Sequence, residues 1–228
     1  RAKAGVALMR CLFTLVLSTL LLVACAHQPP PPDWLLTARS ASEQHARFYL
    51  EGRDRLAQSQ LQTARAAVSR TGNASAMARI ELHACAARIA SLQPPACPEF
   101  QPLADDAGQA ENAYFRYLTG QLVEGDLALL PATQQAAWRN PSSLSDITDP
   151  LSRLLAAAVL LHAGRLPPAA YQIAIDTASQ QGWRRPLAHW LPLEEARLNR
   201  AGDAAAAAAM ARQRARVLAD VPEAAAER

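Results

Sequence analysis

Leu151-Ser152-Arg153-Leu154-Leu155-Ala156-Ala157-Ala158-Val159-Leu160-Leu161-His162-Ala163 decides the fold. It follows Pro150, whose fixed φ and missing N–H suit the first turn of a helix. The stretch is apolar on nearly every face, the pattern of a helix buried all round. Residues 151–163 are therefore expected to form a central buried helix. Working outward, Pro167 and Pro168 open a helix expected to run through Ala178 and to close at Gly182. Residues 187–200 follow, with an interruption expected at Pro192, and residues 204–218 close the domain.

Toward the N-terminus the pattern stays helical. Ala38, Ala41, His45, Phe48 and Gly52 recur at spacings of three and four, and so do Ala57, Leu61, Ala64 and Val68. Ala78, Leu82, Cys85, Ile89 and Leu92 form a third stripe, again with the 3.6-residue period of an amphipathic helix. Residues 94–108 hold four prolines and read as a loop. Residues 109–119 read as a helix ending at Gly120. Residues 129–150, broken by Pro131 and Pro141, are expected to hold one short helix near 133–138. No segment alternates polar and apolar residues with β-branching, so strands are not expected.

The turns echo one another. Tyr49-Leu50-Glu51-Gly52-Arg53 is similar to Tyr117-Leu118-Thr119-Gly120-Gln121, and Leu161-His162-Ala163-Gly164-Arg165 to Leu198-Asn199-Arg200-Ala201-Gly202-Asp203. Gly52 and Gly120 lie 68 residues apart, about twice the tetratricopeptide period of 34. A glycine that ends a helix in the left-handed conformation lets the next helix fold back. The chain thus resembles a degenerate tetratricopeptide-type array, most clearly over 151–218, although the consensus Trp, Leu-Gly and Tyr positions are only partly kept. The resemblance implies helical hairpins stacked as a solenoid with a partner-binding groove. The residues alone fit an Ala-rich helical bundle equally well. Either way the expected fold class is all-α, in a single domain over 34–221 with a frayed tail at 222–228.

The N-terminus carries a different signal. Arg10 gives a basic start, residues 11–23 form an apolar run relieved by Thr14, Ser18 and Thr19, and Leu22-Val23-Ala24-Cys25 ends it. The run is shorter than the roughly 20 apolar residues of a membrane span and fits a secretory core of about 7–15. The tetrapeptide resembles the lipobox of bacterial lipoproteins. That resemblance covers the first 25 residues and implies that residues 1–24 are a signal peptide, an N-terminal helix removed on maturation. It also implies that Cys25 is the lipidated residue, the covalent lipid being the one attached group expected. Ala26, standing where a retained lipoprotein often has Asp, implies sorting to the outer membrane, facing the periplasm. A start at Met9 would make the signal peptide compact. Residues 25–33, with four prolines, read as an extended tether.

Charge narrows the function. Arg1, Lys3 and Arg10 precede Cys25 and no acidic residue does, so the remainder carries 20 cationic and 20 anionic side chains. Such a balance, with dispersed charge, lacks the basic stripe that phosphate backbones need, so nucleic acid is not expected as a partner. Cys85 and Cys97 remain as a pair after Cys11 and Cys25 are set aside. In an oxidising compartment they read as a disulfide. A metal site built on His83, Cys85 and Cys97 would lack a fourth ligand and a familiar spacing.

The chain shows no His-Glu-x-x-His, no Gly-x-Ser-x-Gly and no phosphate-cradling Gly-rich loop. His45 and His189 read as packing residues. Glu194-Glu195 and Asp105-Asp106 read as solvated faces or caps, because adjacent helical residues do not face each other. Trp183, Arg184, Arg185 and Trp190 form the candidate partner-binding cluster, since Trp and Arg are enriched at binding hot spots. The expected function is that of a lipid-anchored helical scaffold or adaptor that binds another envelope protein, and not an enzyme. The alternative is a cell-wall-associated enzyme or accessory factor with its site in the irregular 94–150 region.

Overall fold

The computed structural model describes residues 30–219. The expectations for the signal peptide, the lipobox with Cys25 and the C-terminal tail lie outside the described residues. Pro30, Pro31 and Pro32 are exposed and without regular structure. From Asp33 on the chain forms one compact unit. Among the described residues it contains ten α-helices, two 3-10 turns and no strand, so the all-α class is established.

The helices are α1 (Asp33–Glu51), α2 (Asp54–Ser69), α3 (Ala74–Ala90), α4 (Gln109–Thr119), α5 (Asp126–Leu129) and α6 (Ala132–Arg139), followed by α7 (Pro150–His162), α8 (Pro168–Gln180), α9 (Arg184–Arg200) and α10 (Ala204–Ala219). Sequence neighbours pack as hairpins: α1 on α2, α7 on α8, α8 on α9, α9 on α10. Other contacts join distant parts of the chain. α3 packs against α7, and α1 against both α3 and α9. In a one-dimensional solenoid each repeat touches only its neighbours. The α1–α9 and α3–α7 contacts therefore give this fold the long-range pairing of a bundle.

The decisive stretch does what its composition dictates. Residues 154–160 of α7 are all buried, each no more than 2% exposed. Asp149 caps the helix by accepting from Ser152 N at 2.7 Å, and Pro150 takes the first turn. α3 is also largely buried, through Ala78, Ile80, Leu82, Cys85, Ala86, Ile89 and Ala90. Around these two gather Leu50, Phe100, Tyr117, Ile175, Leu187, Trp190 and Leu191. A smaller, alanine-rich core (Ala38, Ala41, Ala64, Ala67, Val68, Ala76, Ile80) holds α1, α2 and α3 together beyond it.

Several elements differ from the reading of the sequence, α9 among them, which starts at Arg184 and not at 187. α9 runs unbroken through Pro192. A proline inside a helix costs about 3 kcal/mol, but Leu187, Trp190, Leu191 and Glu194 are buried on both sides of it and hold the axis. The third stripe stops at Ala90, and Leu92 takes a left-handed φ of 59°, turning the chain toward Pro94 and Pro95. The irregular middle is more structured than expected: α5 and the 3-10 turn at Pro141–Asp146 join α6, and Phe100 in the loop is fully buried.

Candidate functional site

The clearest concave surface lies on either side of His83. On one side a groove of about 480 Å³ is lined by Leu82 and Arg79 of α3, by Ala110, Glu111 and Tyr114 of α4, and by Leu129, Leu130 and Pro131. On the other, a groove of about 470 Å³ runs between Glu43, Arg47 and Glu51 of α1, Asp149, Pro150 and Leu151 at the start of α7, and the edge of Trp183. His83 lines both.

The charged groups of the first groove pair with each other. Glu111 is nearly buried and takes a 2.6 Å ion pair from the exposed Arg79. Gly108 leaves the room this needs, since a Cβ there would collide with Glu111 Oε2. Tyr114 stacks on Tyr117 at 6.0 Å, and burial pushes its phenol well above the ordinary tyrosine range. Tyr117 in turn donates to Gln134, whose amide donates to Ser152 O at 3.1 Å, tying α4, α6 and α7 together behind the groove. The groove thus has largely apolar walls with a few placed polar groups, as small-molecule and peptide sites do.

His83 Nδ1 shares a 3.0 Å hydrogen bond with Ser42 Oγ. Burial lowers the pKa of the ring, and neighbouring His45 lowers it further, against the opposing pull of Glu43 and Asp149. The shift favours the neutral imidazole, which can donate or accept in the groove. Ser42 is 6% exposed and lines neither groove, so it orients the ring and presents no nucleophile there. Among the described residues no group of three or more His, Cys, Asp or Glu could hold a metal ion, and no helix is long and apolar enough to cross a membrane. Cys85 and Cys97 lie at disulfide distance, Cα to Cα 5.6 Å, which stitches the end of α3 to the loop after it.

The cluster of Trp183, Arg184, Arg185 and Trp190 is placed mostly inside the fold. Trp190 is 0% exposed and donates to Ala90 O at 3.1 Å. Trp183 is 7% exposed, with only an edge in the second groove. Arg185 donates to Tyr49 O at 2.7 Å, pairs with Asp54 and lies over the Tyr49 ring at 4.2 Å, holding α9 to the α1–α2 hairpin. Arg184 is half-buried, with Nε unpartnered. His45 is buried as a packing residue and bonds Ala57 O at 2.8 Å, whereas His189 is exposed rather than packed. Glu194, read as a solvated position, is instead buried in a two-bond pair with Arg197. Asp105 and Asp106 are exposed.

Sequence reasoning missed the groove because its walls come from α3, α4 and the end of α5 with the two residues after it, which share no local spacing. Its one signal was His83, an imidazole two residues before a cysteine inside an apolar stripe. Comparison with protein-family models, curated proteins and solved structures gives no match.

Proposed function

We propose that this protein is a lipid-anchored adaptor of the bacterial envelope, tethered to the outer membrane through Cys25, whose helical domain holds a partner protein in the groove beside His83. The observation that carries the reading is that groove: about 480 Å³, walled by Leu82, Tyr114, Leu129, Leu130 and Pro131. A partner that inserts an aliphatic or aromatic side chain there would meet a largely apolar, open groove rimmed by the Arg79–Glu111 pair. The neutral charge balance agrees with a role in protein binding rather than in binding nucleic acid. Two acyl chains on a cysteine anchor stably where one is marginal.

Site-specific photo-crosslinking in intact cells tests it. A crosslinker at Leu129, 42% exposed on the groove wall, should capture one reproducible envelope protein. The same crosslinker at Val123, 58% exposed outside the groove, should not. Equal capture from both positions would remove the groove from the reading. A wall-associated accessory role is the second reading, favoured because residues 110–131 of the irregular region form one wall of the groove. Crosslinks from Leu129 to peptidoglycan alone would support it.

A further inference from the structure

Leu35 and Leu36 lie side by side on the first turn of α1, 41% and 51% exposed. The buried face of α1 begins only at Ala38. Trp34, between them and the tether, packs on the small alanine-rich core and fixes the orientation of the turn. Among the described residues nothing covers the two leucines fully.

Their place in the chain says what does. This step rests on the lipid-anchor reading above. Cys25 precedes Asp33 by eight residues, a span of at most about 25 Å in polyproline geometry. Acyl chains on Cys25 would hold that residue at the bilayer surface, and the proline tether brings the first turn of α1 within the same short distance. The turn itself carries one acid, Asp33, and no base, and the first base along α1, Arg39, pairs with Glu43. Its attraction to lipid is thus apolar rather than electrostatic. We propose that the Leu35–Leu36 turn is a membrane-docking surface, seated in the headgroup–acyl boundary of the leaflet that anchors Cys25. Docking there would fix the orientation of the domain on the membrane.

The lipidated protein, purified from membranes and reconstituted into phosphatidylethanolamine–phosphatidylglycerol vesicles, provides the test. A single environment-sensitive fluorophore is placed at Leu36→Cys and, in a second sample, at Val123→Cys. Brominated acyl chains, which quench within the bilayer, should quench position 36 several-fold more than position 123. An apolar face buried about 5–10 Å gives that contrast, and high salt should leave it unchanged. Leu35→Ser should weaken quenching at 36 without altering the far-UV circular dichroism. If the protein floats with vesicles but positions 36 and 123 are quenched alike, the docking surface is overturned and the anchor stands. If it does not float, both fall. If position 36 is shielded from water but unreached by the bromines, a second protein copy covers the turn and the proposal is overturned.

Discussion

At the level of single residues, buried polar groups set the pH response. His45 donates from Nδ1 to Ala57 O, and burial holds its pKa below the ordinary value, helped by Arg65 and Arg88 and opposed by Glu81. His83, facing Glu43, Asp149 and His45, is shifted the same way. In the unfolded chain both imidazoles take up protons near pH 6.5, while the folded ones resist. The unfolded state therefore binds more protons below that pH, so the stability present above about 6.5 is lost progressively as pH falls. Thermal melts between pH 8 and 5 should show the midpoint dropping with acidification. His45→Asn, which keeps a donor to Ala57 O, should flatten that slope; an unchanged slope would show that His45 is not its source. Trp190 offers a second measurement. Trp190→Phe should lose about 1 kcal/mol with the hydrogen bond to Ala90 O, and Trp190→Ala about 3–5 kcal/mol, both read by urea denaturation. Losses so large would make Trp190 a core residue, which its composition-based assignment to a binding cluster could not reveal. Aromatic and arginine content marks both buried anchors and hot spots, and only tertiary contact separates them.

At the level of elements, helix after helix was legible because burial writes its period into the chain. α7 announced itself by lacking a polar face, and α8 by its opening prolines. What was not legible is what neighbours impose. Pro192 breaks a helix in isolation, yet here the buried residues on both sides carry α9 through it. Leu92, in the left-handed region, is where the chain leaves α3 for the loop that Cys97 ties back to Cys85. That loop is where the element scale is most testable. Replacing both cysteines by serine should cost on the order of 3 kcal/mol, the chain-entropy value for so short a loop. Amide exchange should accelerate over residues 94–108 while that of α7 stays slow. A reductant on the native protein should reproduce the change. Asn73, whose side chain accepts from Ala76 N at 2.9 Å, caps the same helix at its other end, and Asn73→Ala should cost about 1 kcal/mol.

At the level of the whole molecule, the question is what joins the N-terminal hairpin to the C-terminal helices. Hairpin contacts come free with short connections, and the turn glycines foretold them. The α1–α9 contact joins segments more than a hundred residues apart, and no local pattern encodes it. Arg185 is its hinge-pin. Its guanidinium reaches Tyr49 O and Asp54 and covers the Tyr49 ring. Asp54 is 71% exposed, so water and salt weaken that pair, and the bond to the buried end of α1 carries most of the attachment. Arg185→Met keeps the aliphatic stem and removes the donors, and should cost about 1.5–3 kcal/mol, the range for charged hydrogen bonds. The distribution of the loss is more telling than its size. If Arg185 fastens the hairpin, amide exchange should rise over α1 and α2 and stay near native over α10, which packs on α9. Salt should change the result little, because the donor to Tyr49 O is not an ion pair. A uniform rise across all helices would mean instead that α9 itself is unsettled by the substitution. The second groove has one wall on α1 and another on α7, so a loosened hairpin should widen it while leaving the Leu82–Tyr114 groove intact. A crosslinker at Leu129 should therefore still capture its partner in the Arg185→Met protein.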